Sequence, residues 1–217
     1  MTIRILLADD HKMVLDGLGN LIKKQTDMEV VAEARTGRMA VKQAVKLSPN
    51  VVVLDISMPD MNGIDATRKV IAEVPGVKVI ALSMHSDRRF VCGMLEAGAS
   101  GYLLKDCAFD ELATAIRTVI KNQTYLSPKI AHIVVENVTK KPANQDSIFS
   151  KTITHREREV LQLLSEGMST KEIAAHLQVS VKTVETHRHN IMSKLNIESM
   201  AELVKYAIRE GLTTADG

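Results

Sequence analysis

Asp9 and Asp10, Asp55, Ser83 and Lys105 each follow or close a short apolar run: Ile3 to Ala8, Val51 to Leu54, Val77 to Leu82 and Gly101 to Leu104. Carboxylates brought together repel one another, and without a cation one of them is driven towards protonation. Mg²⁺ removes that conflict, because it takes near-octahedral oxygen ligands and is usually held by one or two carboxylates while keeping waters and phosphate oxygens. One carboxylate is then available to attack phosphorus, as in aspartyl-phosphate intermediates. Phosphoryl transfer is mostly positioning and charge neutralisation, so Mg²⁺ on one side and the Lys105 ammonium on the other suit the equatorial oxygens. Asp55, alone at the end of its run, is the expected nucleophile. Ser83 supplies a hydroxyl able to donate to a phosphoryl oxygen.

The elements that must position these groups alternate regularly. Short runs rich in Val, Ile and Leu near 3–8, 29–34, 51–55, 78–83 and 101–104 read as buried parallel strands. Helical patterns near 12–24, 37–47, 63–74, 87–97 and 109–121 separate them. Five βα units predict a flavodoxin-like, doubly wound, five-stranded parallel α/β domain over 1–121. The strand order 2-1-3-4-5 would set Asp9, Asp10 and Asp55 on neighbouring strands at the switch point, where ligands bind such sheets. Residues 122–150 form a linker with a short helix after Ser127-Pro128, then the polar stretch Thr139 to Ser147. Residues 151–217 predict a small all-α domain of four helices near 155–166, 170–177, 181–195 and 199–210. Three matches to S/T-x-x-E, at Thr154, Ser169 and Ser199, mark helix starts, and Ser180 is a further N-cap. Leu177 to Ser180 is a short turn of the helix-turn-helix kind, whose second helix enters the major groove of DNA.

The length of 217 residues suits two domains, each with its own core. No stretch approaches the run of about 20 apolar residues that spans a bilayer, and the amino terminus lacks the layout of a signal peptide, so a cytoplasmic protein without a membrane is expected. Cys92 and Cys107 have no CxxC spacing and read as reduced thiols. Net charge is +2 and each segment is nearly balanced, so any nucleic-acid surface is local. Lys182, Arg188 and Lys194 lie in one short helix with His187 and His189, opposed by Glu185. Met13, Met58, Met61, Met84 and Met94 read as packing or interface residues, and His11 as a solvent-facing histidine.

The segment Val53 to Gly63, with Asp9-Asp10 upstream and Lys105 downstream, resembles the receiver domain of two-component response regulators. The resemblance implies Asp55 as phosphoacceptor and Asp10 as direct metal ligand, with Asp9 acting mainly through water and the Ser57 backbone carbonyl as a further ligand. It also implies Ser83 and Tyr102 as a switch pair, Lys105 as bridge to the phosphoryl group, and Ser57 and His85 as positions that tune phosphoryl lifetime. One departure is Asp106, where many receivers have proline. The string Thr154 to Leu161, Lys171 to Ala174, Thr183 to His187 and Lys194-Leu195 is similar to the LuxR-type DNA-binding domain. Together the two resemble a response regulator of the NarL/FixJ type. That family implies base contacts from Glu185, Thr186 and His189, and phosphate contacts from Lys182, Thr183, Arg188 and Lys194.

These readings converge on a phosphorylation-controlled transcription factor: a histidine kinase supplies the phosphoryl group, and phosphorylation switches homodimerisation and binding to double-stranded promoter DNA. It is not an enzyme in the usual sense. Two rivals are weighed against it. A haloacid-dehalogenase-like phosphatase would want a second aspartate two residues after the nucleophile, where Ser57 stands. A constitutive DNA binder, with the first domain serving only to dimerise, would not need a complete acidic site.

Overall fold

The computed structural model describes residues 2–84, 86–139 and 153–213. His85 and the polar stretch from 140 onward lie outside the described residues, as does the side chain of Cys107. The chain divides into two compact units, Met1–Gln145 and Asp146–Gly217.

In the first unit, strands β1 (Ile3–Ala8), β2 (Met28–Ala34), β3 (Val51–Asp55), β4 (Lys78–Ser83) and β5 (Gly101–Leu104) alternate with helices α1 (Lys12–Lys23), α2 (Gly37–Leu47), α3 (Gly63–Glu73), α4 (Arg88–Glu96) and α5 (Ala108–Ile120). β3 is buried at every position and β4 at all but its first, the pattern of strands covered on both faces. On one face Ile5, Leu7, Val51, Val53, Ile80 and Leu82 pack with Leu15 and Leu18 of α1 and Leu112 and Ile116 of α5. The alternate residues Leu6, Val52, Leu54 and Ala81 are equally buried on the other face. Every pairing is parallel, and the order β2-β1-β3-β4-β5 sets the carboxyl ends of β1 and β3 side by side. Ala8 pairs with Leu54, so Asp9 and Asp55 follow on adjacent strands.

The sheet has six strands, where five were expected. β6 (Tyr125–Leu126) adds to the β5 edge, with Tyr125 N donating to Ser100 O and Ser127 N to Tyr102 O, both at 3.1 Å. It covers backbone groups that an open edge would leave unpaired. Two residues are too few to display a period, so the sequence read them as linker. The helix expected after Ser127-Pro128 is α6 (Pro128–Thr139), which buries Ile130 completely and packs on α4.

The second unit consists of α7 (His155–Ser165), α8 (Thr170–His176), α9 (Val181–Leu195) and α10 (Met200–Arg209) around Val160, Leu161, Leu164, Ile173, Val184, Ile191 and Leu203. Thr154 and Ser169 form complete capping boxes with Glu157 and Glu172. Ser199 caps Glu202 N at 3.2 Å, but the Glu202 carboxylate accepts from Glu198 N instead of completing the box.

Gly63 opens α3 directly beneath the end of β3, and a Cβ there would collide with Asp55 O and the Ile56 Cα. Both are backbone, so neither can swing aside. Gly63→Ala should lower the unfolding free energy by about 2–3 kcal/mol, read from urea unfolding of the full chain.

Candidate functional site

Asp9 and Asp55 are buried at neighbouring strand ends, and Lys105, in the 3₁₀ turn Lys105–Cys107 after β5, reaches both. Its Nζ lies 2.7 Å from Asp9 Oδ2 and 3.1 Å from Asp55 Oδ2. The other Asp55 oxygen, Oδ1, accepts from Ile56 N at 2.8 Å. Asp10 is partly exposed at the rim. The turn into α1 brings His11 back over the carboxylates: its amide donates to Asp9 Oδ1 at 2.9 Å, and its Nδ1 lies 2.8 Å from Asp10 Oδ1. The imidazole was expected to face solvent; it is 68% exposed, yet one nitrogen belongs to the acidic cluster.

Charge at this cluster is unbalanced. Burial raises the Asp55 carboxyl to about 6, with Asp9 and Asp10 adding to the rise and Lys105 opposing it. Burial works against the Lys105 ammonium, but Asp55 and Asp9 together hold its pKa above the ordinary lysine value. Lys105 therefore does not offset the burial of Asp55, and the oxygen donors of Asp9, Asp10 and Asp55 fit an added cation. Ligand atoms of Asp9, Asp10 and His11 lie within 4.8 Å of one another, which suits capture of a metal ion. Ser57 sits two residues beyond Asp55, half-buried in the loop that joins β3 to α3.

Ser83, at the end of β4, is buried and shares a side-chain hydrogen bond with Tyr102, which is fully buried in β5. Burial pushes the phenol far above its ordinary pKa, so it remains a neutral hydroxyl. The two residues that the resemblance named as a switch pair are thus brought into contact.

In the second unit, α9 packs Val184 and Ile191 into the core. Lys182, Glu185, Thr186 and His189, at helical spacing i, i+3, i+4 and i+7, form an exposed stripe. Thr183 and Arg188 are half-buried beside it. The Ser180 and Thr183 hydroxyls are 2.8 Å apart, and the Thr186 hydroxyl donates to Lys182 O at 2.8 Å. Lys194 behaves differently from the others. Its ammonium lies 2.9 and 2.7 Å from the two carboxylate oxygens of buried Glu157, tying the end of α9 to the start of α7. Burial pushes the Glu157 carboxyl up, but hydrogen bonds from Lys194 and Thr154 outweigh it and hold the group below its ordinary range. Arg156 adds a bond from Nη2 to Leu177 O at 3.1 Å, at the helix-turn-helix turn. Neither Glu157 nor Arg156 stood out in the sequence beyond helix capping, because their partners are 37 and 21 residues away.

The first unit matches the response regulator receiver domain over residues 5–117, and the second matches the bacterial regulatory proteins of the luxR family over residues 151–207. The chain is a response regulator. A receiver followed by a LuxR-type DNA-binding domain is the composition of the NarL/FixJ type. It is 39% identical to the oxygen regulatory protein NreC of Staphylococcus carnosus, over 96% of this chain and 98% of that one. It is 36% identical to the transcriptional regulatory protein DegU of Brevibacillus brevis, over 96% and 94%. Among solved structures, the response regulator RcsB in complex with DNA superposes with a TM-score of 0.58 at 25% identity, covering 95% of this chain and 98% of that one. Such proteins are DNA-binding regulators of transcription. Among the described residues, no helix is long and apolar enough to cross a membrane.

Two outcomes follow from the electrostatics. The folded Asp55 carboxyl titrates near 6 against an ordinary 3.8, so its ionisation costs the metal-free fold nothing below about pH 4 and the full amount above about pH 6. Asp55→Asn should raise the stability of the EDTA-treated protein by about 2–3 kcal/mol at pH 7.5, with the gain vanishing by about pH 4 in urea titrations. Lys194→Met should destabilise the second unit by about 1–2 kcal/mol in thermal melts of the full chain, and adding Glu157→Gln should recover part of the loss.

Proposed function

We propose that this response regulator is a phosphorylation-controlled transcription factor that accepts a phosphoryl group on Asp55 from a histidine kinase in the cytoplasm. The observation that carries the reading is the convergence of Asp9, Asp55 and Lys105 from three strand ends, with Asp55 left short of positive charge. Asp9, Asp10, Asp55 and the Ser57 carbonyl are the oxygen donors that would hold Mg²⁺, which neutralises charge on the phosphoryl group. Asp55, oriented by the Ile56 amide, is the attacking carboxylate: its oxygen bonds to phosphorus as the P–N bond of the kinase phosphohistidine breaks and the imidazole leaves with that electron pair. Lys105, held as an ammonium by its two carboxylate neighbours, moves its interaction from Asp55 to a phosphoryl oxygen once that group arrives. The new charge of about −2 recruits the Ser83 hydroxyl as a second donor.

Ser83 cannot turn to the phosphoryl group without changing its bond to Tyr102. Tyr102 in turn pairs with β6, which leads into α6, packed on α4. The phosphoryl group thus biases the segment leading to the DNA-binding unit, and with it homodimerisation and promoter binding. A dimer would read two half-sites about one helical turn apart. Glu185, Thr186 and His189 face the base edges of the major groove, with Lys182, Thr183 and Arg188 on phosphates. The pairing of Lys194 with Glu157 favours a role in holding α9 over a phosphate contact.

The test compares wild type with Asp55→Asn, each with acetyl phosphate and either Mg²⁺ or EDTA. Intact mass should show one added phosphoryl group on the wild type in Mg²⁺ alone. The labelled protein should run as a dimer by light scattering and bind duplexes selected from a random pool at least about tenfold more tightly. Equal DNA binding by both proteins, indifferent to the donor, would establish the constitutive reading in its place.

A further inference from the structure

Between Asp55 and α3 runs the loop 56–62, which carries Ser57 and therefore bears on how the acceptor site is shaped. Its two ends are fixed from within: Gly63 N donates to Ile56 O at 2.8 Å, and the Asn62 side chain caps Ile64 N and Asp65 N at 3.1 and 3.0 Å. The middle of the loop is met from outside by the start of α2. Arg38 Nε lies 3.0 and 3.2 Å from the two oxygens of Asp60. Beside it, Gly37 packs so closely on Met61 that a Cβ would collide with the Met61 backbone carbonyl. Asp60 itself has φ of 70°, a left-handed conformation that residues other than glycine adopt at a cost and that aspartate tolerates better than most. A strained residue persists where its surroundings over-determine it, and here the surroundings include a charge-assisted pair reaching across 22 positions of sequence.

We propose that Arg38 and Asp60 are positioning residues for phosphoryl acceptance: the pair holds the β3–α3 loop in the shape that presents Ser57 to the metal and the phosphoryl group. Neither side chain touches the reacting atoms. Asp60 is mostly buried and Arg38 is about one-third exposed, so the pair is stronger than an ordinary surface contact but partly screened. It acts on the acceptor by limiting the loop's alternatives, because binding at Ser57 requires one loop shape and every other shape must first be given up. The inference rests on the acceptor reading of Asp55 given above.

Arg38→Gln and Asp60→Asn remove the pair with little change in volume, and the double substitution closes the cycle. The measurements are Mg²⁺ affinity by calorimetry on the full-length protein, and the dependence of the phosphorylation rate on acetyl phosphate concentration. Each single variant should weaken Mg²⁺ binding and lower the apparent second-order labelling rate by about three- to tenfold, with the double variant no worse than either single. Arg38→Lys should recover part of the loss, and Lys42→Gln, one turn along α2, should behave as wild type. Thermal melts of the same proteins separate positioning from general damage, since a merely structural pair would lower Tm and leave Mg²⁺ affinity and labelling rate of the folded protein intact. Wild-type values of both in the single variants, or additive losses in the double, would overturn the proposal. Failure of wild type itself to label would instead remove the acceptor reading and this inference with it.

Discussion

The receiver is organised around one electrostatic conflict: Asp9 and Asp55, buried at adjacent strand ends with Asp10 at the rim, meet one ammonium, that of Lys105. Desolvation penalises the charged form of Asp55, Asp9 and Asp10 add repulsion, and Lys105 compensates only in part. A parallel sheet can build such a site because its strand ends converge and its loops lie on one side, so the groups come from residues as distant as Asp9 and Lys105. The fold must be stable enough to hold them together. It draws that stability from β3 and β4, buried on both faces, and from helices packed over them. The core thus sustains an arrangement that its own charges oppose.

The second unit shows the opposite solution to the same problem. Glu157 is buried too, yet its carboxyl ends below its ordinary range, because Lys194 and the Thr154 cap satisfy both oxygens. A fully compensated acid is a structural tie. An under-compensated one is a place where chemistry can occur. The contrast separates Asp55 from Glu157 more clearly than burial does, since both are almost inaccessible to solvent.

Much of this was legible in the sequence for a physical reason. Parallel strands buried on both faces read as unbroken apolar runs, so the residues that follow or close them, Asp9, Asp10, Asp55, Ser83 and Lys105, could be placed at one edge of the sheet from sequence. Helix starts in the second unit were equally plain, because a cap is a local interaction within four residues. What escaped was non-local or too short. β6 has two residues and no period of its own. The pairing of Lys194 with Glu157 spans 37 positions, and in sequence Lys194 is one more cation on a basic helix. The bond of His11 to Asp10 is local, but it depends on a side-chain rotation that residue type does not determine.

β6 gives Tyr102 a second anchor beside Ser83. Tyr102 is held in two ways at once: its side chain bonds Ser83, and its backbone carbonyl accepts from Ser127 N while the residue pairs with Leu126. The side-chain bond can break by rotation about the Tyr102 side chain, whereas the backbone bonds break only if the strand moves. A phenol fully enclosed in a close-packed core has no room to rotate unless its neighbours shift. α4 packs on β5, the strand that carries Tyr102, and on α6, while β5 pairs with β6. A change that reached the Tyr102 backbone would therefore have to break the pairing with β6. One strand pairing thus joins the residue bonded to Ser83 to the segment that leads into α6.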